Sequence, residues 1–323
     1  MEKILGIDIG GTKCAVILGE YSTDKIMDIL DKITFPTEMQ NGCEFAINKL
    51  LESVDCILLK NILEIKDVKS IGISCGGPLD SKRGIIMSPP NLIGWDNVHI
   101  TEIIENKYGI KTKLQNDANA CALAEWKFGA AMGYDNVIFL TFGTGLGAGL
   151  ILDGRLYSGT NDMAGEVGHI RLERHGPVGY GKSGSFEGFC SGGGIAQLAK
   201  EKVLEKMQIG EKVGFCQTIA EIPGLNAKIV GDAAQAGDEL AKEIYSICGE
   251  YLGKGLSILI DVLNPEIIVI GSIFERRRSL LCKTMEEEIK KETLGYSRNV
   301  CKVVPAGLGE KIGDYASLAV AIY

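Results

Sequence analysis

The sequence predicts an α/β protein, because apolar runs typical of strands alternate along the chain with segments of helical periodicity. Two observations sharpen this prediction. A glycine-rich turn stands between two apolar runs near residue 10, and a second turn of the same kind follows near residue 143. Because the pattern of strand, glycine turn and strand occurs twice in one chain, the sequence predicts two similar lobes.

The composition is that of an ordinary globular protein. The chain has 323 residues, enough for two domains or one large one. A net charge of −8 argues against nucleic acid as a partner. No apolar run is long enough to span a membrane, and the first residues lead directly into a strand without a signal peptide. Ten scattered cysteines without a C-x-x-C pair predict a reducing, cytoplasmic location.

The first glycine turn predicts a phosphate site. Gly10 and Gly11 allow the backbone to approach a ligand, because no Cβ is in the way, and the N–H groups of the turn around Thr12 would form an anion cradle. Asp8 precedes the turn, where its carboxylate is suited to holding Mg²⁺ through water. Two alternatives stay open, because a plain hairpin turn fits the same segment and a solvated charge fits Lys13.

Extended and helical segments follow one another through the rest of the chain. The predicted segments, in chain order, are a hairpin at 4–18, a helix at 43–63, a strand at 70–74, a loop at 85–97, a helix at 99–108, a strand at 111–115, a helix from 118, a second hairpin at 137–152, an irregular glycine-rich region at 159–192, helices over 193–263, a strand at 266–270 and a closing helix after 306. The three arginines at 276–278 are predicted to be the solvated start of a helix.

The second glycine turn invites comparison with dinucleotide-binding loops. Its glycines, Gly143, Gly145 and Gly147, are spaced as G-x-G-x-G, whereas the dinucleotide fingerprint is G-x-G-x-x-G followed by a helix. Here the apolar residues 148–152 continue as a strand, so the sequence does not favour a nicotinamide enzyme. The turn is interpreted instead as a second phosphate site.

Polar residues mark two further candidate sites. Asn116 and Asp117 stand at the carboxyl end of a strand, where open α/β sheets bind ligands. Asp117 is suited to accept a proton from an attacking hydroxyl, although a helix N-cap is the more ordinary role for a lone aspartate at such a junction. Glu166, His169 and Glu187 lie in the glycine-rich region. Carboxylates there either bind a polyol by accepting hydroxyl hydrogens or are simply surface charges.

Together these motifs resemble the ROK sugar kinases, members of the actin/hexokinase-like ATPase superfamily. The resemblance runs nearly end to end and rests on the order and spacing of the segments 8–13, 88–95, 116–120, 143–147, 165–170, 270–272 and 306–310. It implies a two-lobed actin/hexokinase-like (ribonuclease H-like) α/β fold with a central cleft. The N-terminal lobe would consist of residues 1–117 plus about 306–323, and the C-terminal lobe of residues 118–305.

The resemblance further implies ATP-dependent phosphorylation of a hexose at its 6-hydroxyl, with Asp117 as the general base. It places on the sugar side Asn91, Asn116, Glu166, His169 and Glu187. It places around ATP and Mg²⁺ the residues Gly10, Gly11, Thr12, Lys13, Gly143, Thr144, Gly145 and Gly271, with Asp8 near the metal through water. Glucose and N-acetylmannosamine-type sugars are expected, while mannose, fructose and allose stay open. A homo-oligomer, dimer or tetramer, is also expected, without a nucleic-acid or membrane partner.

One part of the chain departs from the ROK pattern. Many members bind zinc with a histidine and three cysteines, but the cysteine positions here hold Val178, Tyr180 and Ser185. Because a structural zinc needs four good ligands, no zinc is expected. Without the metal, packing by Tyr180 and Phe186 is expected to shape this loop.

Three alternatives stay open beside these predictions. A different metal site could use His169, His175 and Cys190. A sugar-sensing repressor would carry a DNA-binding helix-turn-helix before the first phosphate motif, which here begins at residue 8, and the acidic charge also argues against it. A non-catalytic sugar- or nucleotide-binding protein is supported by the missing cysteines alone, because Asp117 and both glycine turns are intact.

Overall fold

The computed structural model describes residues 1–22 and 25–323, and it confirms the predicted α/β class. The first elements, in chain order, are β1 (Glu2–Ile9), β2 (Lys13–Ser22), β3 (Lys25–Pro36), α1 (Cys43–Lys60), β4 (Val68–Cys75), β5 (Leu79–Asp80), β6 (Ile85–Ile86), α2 (Ile100–Tyr108), β7 (Thr112–Asn116) and α3 (Asp117–Phe128). The next are β8 (Val137–Phe142), β9 (Leu146–Leu152), β10 (Arg155–Leu156), β11 (Val178–Gly179), β12 (Lys182–Ser183), α4 (Phe186–Phe189), α5 (Gly192–Gln208), α6 (Ala227–Gln235) and α7 (Glu239–Leu263). The last are β13 (Ile267–Ile270), α8 (Ile273–Glu292), α9 (Gly295–Val300), β14 (Lys302–Pro305) and α10 (Ile312–Ile322).

Two strands of four or more residues, β3 and β14, are missing from the prediction, as are the two-residue strands β5, β6, β10, β11 and β12. Residues 28–36 of β3 alternate between exposed and half-buried positions, and Asp31 and Lys32 break any apolar run there. β14 is four residues long and only partly buried. Both strands lie at the edge of a sheet, where the burial pattern that marks a strand in the sequence is weak.

In the described residues, two five-stranded sheets have the same strand order. The first sheet has the order β3–β2–β1–β4–β7 and the second has the order β10–β9–β8–β13–β14. If the five strands of each sheet are numbered by their place along the chain, both sheets have the order third, second, first, fourth, fifth. In each sheet the first, fourth and fifth strands are parallel. Each glycine turn joins the first strand of its sheet to the second. The internal repeat predicted from the two turns is therefore confirmed.

The chain divides into two compact units. The first unit consists of Met1–Tyr134, Gly149–Ala164 and Gly307–Tyr323, and the second of Asp135–Ala148 and Gly165–Ala306. Helix α3 and residues 149–164 thus fall in the first unit, whereas the boundaries expected from the sequence give most of them to the C-terminal lobe; those lobe boundaries stay a prediction. No helix in the two described ranges is long and apolar enough to cross a membrane.

The first sheet has an apolar core on each face. One face packs with α1 and α2, and the other packs with α10 around Leu318. Gly72 of β4 allows the second contact, because a Cβ there would lie 2.2 Å from the backbone nitrogen of Ala321 and 2.2 Å from the carbonyl oxygen of Ser317. The backbone of α10 therefore lies directly on the sheet.

A buried carboxylate fixes α3 in place. Glu125 is fully buried, and its two oxygens accept the backbone N–H groups of Ala130 (2.7 Å), Gly307 (3.0 Å) and Leu308 (3.0 Å). These bonds tie the end of α3 to the segment that precedes α10. Because α3 begins with Asp117, Glu125 positions the helix that carries the predicted general base.

We expect Glu125→Gln to lower the free energy of unfolding by about 2–4 kcal/mol, because an amide NH₂ would then face backbone donors in a buried site. Urea unfolding followed by circular dichroism measures the change. The exposed Glu201→Gln on α5 is the matched control and should leave the unfolding midpoint unchanged. An unchanged midpoint for Glu125→Gln would show that these hydrogen bonds do not hold α3.

Candidate active site

The first glycine turn is held from behind by one threonine. Within the turn, the N–H of Gly10 donates to the carbonyl oxygen of Lys13 at 3.1 Å. The hydroxyl of Thr37, which is 1% exposed, donates to the carbonyl oxygen of Gly10 at 2.5 Å, and its backbone N–H donates to that of Thr12 at 3.0 Å. Thr37 was not predicted from the sequence, because nothing in its surroundings marks it as a partner of a turn 25 residues away; its role is visible only in the fold.

The structure brings two predicted ligand segments of the first unit together. A Cβ on Gly11 would lie 2.4 Å from the carbonyl oxygen of Asn91, so the glycine is required for this contact. The loop that carries Asn91 is anchored by Leu92 and Trp95, which are 2% and 1% exposed. Asn91 itself is exposed beside the turn. Its predicted place on the sugar side thus adjoins the predicted phosphate turn.

Burial and two neighbouring carboxylates act on Asp8 in the first unit. Burial raises the pKa of Asp8 from 3.8 to about 6, and repulsion from Asp117 and Asp314 adds to the effect. Attraction by Lys32 and by the exposed Lys13 acts in the opposite direction. A divalent cation would relieve this repulsion, and carboxylate oxygens are the ligands that Mg²⁺ prefers. The carboxylate of Asp8 alone is therefore suited to hold Mg²⁺ through water, as the sequence predicts.

Asp117 is accessible to solvent although it is recessed among protein atoms. The protein atoms around its carboxyl group displace part of the surrounding water and so raise the pKa of that group. The hydrogen bond from the backbone N–H of Ala118 at 2.8 Å lowers the pKa. The residue that caps α3 is Asn116, whose Oδ1 accepts the N–H of Asn119 at 2.7 Å. The alternative role of Asp117 as the N-cap is therefore wrong, and Asp117 occupies the first position of the helix.

A buried amide network supports this junction between β7 and α3. Oε1 of Gln115 accepts the backbone N–H of Asn116 and Nδ2 of Asn119, both at 3.1 Å. Nδ2 of Asn119 also donates to the hydroxyl of Ser158 at 3.3 Å. Oδ1 of Asn119 is buried without a hydrogen-bond partner in the described ranges. The network restrains the chain on both sides of Asp117.

In the second unit, Glu187 has the role that Thr37 has in the first. The N–H of Gly143 donates to the carbonyl oxygen of Gly145 at 3.1 Å, and Oε2 of Glu187 accepts the N–H of Leu146 at 3.0 Å. The carbonyl oxygen of Gly143 accepts the N–H of Gly192, the first residue of α5, at 2.8 Å. Glu187, predicted on the sugar side, therefore fixes the second glycine turn.

The segment 165–169 lies against β9 beside this turn. A Cβ on Gly165 or on Gly168 would come within 2.1 Å of a carbonyl oxygen of β9, so the two backbones are in direct contact. This packing brings Glu166 and His169, both exposed, close to the second glycine turn. The imidazole of His169 meets the ring of Tyr180 edge-on, with the ring centroids 6.4 Å apart.

A β-hairpin stands at the positions where the ROK resemblance implies zinc-binding cysteines. Strands β11 and β12 are joined by Tyr180 and Gly181, whose positive φ angles of 43° and 75° are typical of the tight hairpin turn that matches strand twist. Tyr180 is 79% exposed, so the expectation that it packs to shape this loop is wrong. Phe186 is fully buried against α7 as expected, because a Cβ on Gly255 would lie 2.3 Å from its ring.

Hydrogen bonds hold the hairpin instead. The side-chain amide of Gln197 on α5 accepts the N–H of Val178 at 2.8 Å and donates to its carbonyl oxygen at 2.9 Å. Ser185 accepts the N–H of Gly188 at 3.1 Å and so caps α4. Lys182 donates to the carbonyl oxygen of His169 at 2.7 Å. The residues at the cysteine positions thus serve backbone structure, and this donor set does not fit zinc.

The alternative metal site is not assembled. Cys190 is fully buried, its thiol donates to the carbonyl oxygen of Cys248 at 3.5 Å, and burial raises its pKa well above the usual value. His169 and His175 are exposed. Among the residues that the structure describes, no group of three or more His, Cys, Asp or Glu side chains is arranged to hold a metal ion.

A cavity of about 630 Å³ lies in the second unit. Its walls include Gly143 and Thr144 of the glycine turn and the starts of α5, α6 and α8. Because helix N-termini present unsatisfied N–H groups, they favour an anionic ligand. The volume is in the range of small-molecule sites. Gly271, predicted beside ATP, precedes the lining residue Ser272.

The arginine run contributes to this cavity. Helix α8 begins at Ile273, and Arg276 and Arg277 line the cavity. The side chain of Arg277 is 15% exposed and bonds to Asp232 and Gln235. The expectation of a solvated helix start is therefore wrong for Arg277.

Solved structures share this two-sheet fold. A ROK family glucokinase from Streptomyces griseus, determined with glucose and AMPPNP, is 26% identical with a TM-score of 0.76, and the match covers 99% of each chain. A ROK family transcriptional regulator, a homologue of the Escherichia coli Mlc protein, is 26% identical with a TM-score of 0.84, covering 98% of this chain and 77% of that one. The fold is thus the actin/hexokinase-like α/β fold.

Comparison of the sequence identifies the family as well as the fold. A model of the ROK family matches residues 4–321, so the chain belongs to the ROK family. The glucokinase of Thermotoga maritima is 32% identical over 319 residues, which are 96% of this chain and 94% of the relative. The resemblance inferred from the motifs is confirmed.

We expect Asp8→Asn to stabilise the protein at neutral pH when no divalent metal is present. The folded-state pKa of about 6 lies above the ordinary 3.8, so folding stability falls as the pH rises between these values and the penalty is complete above them. The variant lacks this penalty. Urea unfolding should give it about 1–3 kcal/mol more stability than the wild type at about pH 7.5, and little difference at about pH 4.

The control for this experiment is the exposed Asp135→Asn, which should follow the wild-type curve at every pH. If the free energies of unfolding of Asp8→Asn and of the wild type differed by the same amount at every pH, the raised pKa of Asp8 would be contradicted.

We expect Gln197→Leu to loosen the hairpin without unfolding the protein. Two hydrogen bonds to Val178 are lost, but the exposed backbone there can bind water instead. Hydrogen exchange of amides 178–183 should become about 5- to 30-fold faster, while the global unfolding midpoint changes little. Gln208→Leu, at the exposed end of the same helix, is the control. Unchanged hydrogen exchange of these amides would show that Gln197 does not hold the hairpin.

Proposed function

We propose that this protein transfers the γ-phosphoryl group of ATP to a hydroxyl of a hexose, with the 6-hydroxyl as the acceptor. One observation carries the proposal: an accessible, desolvated carboxylate, Asp117, opens a helix whose cap and far end are both fixed by buried hydrogen bonds. A carboxylate with a raised pKa is suited to take a proton as the hydroxyl attacks. Nearly full-length similarity to glucokinases supports the same reaction.

The nucleotide half of the proposal rests on the second unit. The cavity joins a glycine turn to three helix starts, an arrangement suited to the phosphates and the nucleoside of ATP. Mg²⁺, when bound, would neutralise the charge that develops on the transferred group. Asp8 would hold the ion through water, and its high pKa without metal is consistent with that role.

The sugar half rests on residues that border the two glycine turns. Asn91 adjoins the first turn, while Glu166, His169 and Glu187 surround the second. Carboxylates and amides select polyols by hydrogen bonds to several hydroxyls at once. Oδ1 of Asn116 accepts the N–H that caps α3, so its Nδ2 would be the donor to a sugar hydroxyl. Glucose is the first candidate, since the relatives named glucokinase are the more similar ones in sequence.

A sugar-responsive regulator is the second candidate, favoured by the TM-score of 0.84 to the Mlc homologue. Such a protein would bind a sugar but show no hexose-dependent release of ADP. A coupled ADP assay across glucose, mannose, N-acetylmannosamine, N-acetylglucosamine, fructose and allose separates the two functions. Sugar-dependent ADP release supports the kinase, and sugar binding without it supports the regulator.

We expect Asp117→Asn to lower kcat by ~10²–10⁴-fold, because the amide cannot accept the proton of the hydroxyl, while the sugar Kd changes little. Steady-state kinetics and calorimetric titration of the preferred hexose measure the two quantities. Asp135→Asn serves as the control with full activity. Near wild-type turnover in Asp117→Asn would remove Asp117 from the mechanism.

A further inference from the structure

Ser272 is held in a backbone conformation that side chains avoid. It lies between β13 and α8 with φ 60° and ψ −111°, a region normally occupied by glycine. The residue lines the cavity of the second unit. Strain of this kind persists where the surrounding structure enforces it and is frequent at ligand sites. The conformation therefore raises the question of what the serine side chain contributes.

Contacts connect Ser272 to the second glycine turn and to Arg276. A Cβ on Gly143 would lie 3.6 Å from Oγ of Ser272, so the hydroxyl is next to that turn. The same oxygen accepts a hydrogen bond from Nη2 of Arg276 at 3.2 Å. Because Oγ accepts this bond, its own hydrogen can be donated to a ligand. A phosphate bound at the turn would thus be within reach of both side chains.

Arg276 differs from the neighbouring arginines in its surroundings. Arg277 forms an ion pair with Asp232, and Arg278 is not among the residues that line the cavity. In the described ranges, the arginines that form ion pairs are Arg83 and Arg277, so Arg276 brings an uncompensated guanidinium to the cavity wall. Lys228, the third cation of the wall, forms an ion pair with the same carboxylate, Asp232, whereas Arg276 forms none in the described ranges. Guanidinium groups bind phosphate oxygens through several N–H donors at once.

We propose that Arg276 and Ser272 form a second phosphate contact beside the glycine turn, with Arg276 binding the phosphate chain and Ser272 orienting both partners. This contact would make the cavity selective for nucleoside di- and triphosphates over nucleosides. The inference rests on the proposed function, in that the ligand is a nucleotide. It adds the residues that distinguish a phosphorylated ligand from its nucleoside.

The test is calorimetric titration of the full chain with ADP in the presence of Mg²⁺, and separately with adenosine. Arg276→Gln should weaken ADP about 10- to 100-fold, because a charge-assisted contact is lost, and should leave adenosine within about twofold. Arg278→Gln removes the same charge away from the cavity and should bind both ligands like the wild type.

Equal ADP affinity in Arg276→Gln and the wild type would overturn the inference while the proposed function stands. A parallel loss of adenosine affinity would also overturn it, because Arg276 would then contact the nucleoside. If the wild type itself failed to bind ADP, the proposed function would fall and the inference with it.

Two variants separate the hydroxyl of Ser272 from its backbone strain. Ser272→Ala removes the hydroxyl and keeps the Cβ, whereas Ser272→Gly removes both and tolerates the positive φ. Both should weaken ADP about three- to tenfold, and the glycine variant should unfold at higher urea concentration than the alanine variant. Wild-type ADP affinity in the glycine variant would exclude the hydroxyl from the contact.

Discussion

In each of the two units, one glycine turn at the end of a sheet has to stay open. A turn that offers its N–H groups to a ligand cannot use all of them within the fold, so its shape has to be set by other bonds. In the first unit Thr37 supplies them through the carbonyl oxygens of Gly10 and Thr12. In the second, Glu187 and the start of α5 hold the turn through Leu146 and Gly143. The two units reach the same arrangement with different side chains.

Two residues, one in each unit, oppose stability. Asp8 stays ionised at neutral pH only against burial and repulsion, and Ser272 keeps a backbone conformation that glycine would tolerate better. Neither feature improves packing. Both become favourable if a cation and a phosphate occupy the positions that they face. Groups that hold the helices in place, such as Glu125, show the opposite pattern, because every oxygen is already satisfied inside the protein.

The sequence predicted the elements with a strong apolar period and the turns with adjacent glycines, because these signals are local. It also proposed site roles for Asp117, Asn91 and the segment 165–169 from the order of the motifs along the chain, and those roles stay predictions. It missed Thr37, Gln197 and Glu125, whose partners lie far away in sequence or are backbone atoms that leave no trace in the residue pattern. It misjudged Tyr180 for a related reason, since an aromatic residue predicts packing but not the positive φ that turns this one outward.

Helix α10 has a consequence for how this protein is made. It covers strands β1, β2 and β4, which leave the ribosome long before residues 312–322 do. Until then, the apolar surface around Gly72 has no helix packed on it. All residues of the second unit are therefore synthesised before the first unit can complete its core. A premature stop codon that removed residues 312–322 would leave β1, which bears Asp8 and is made first, without the helix that packs on it.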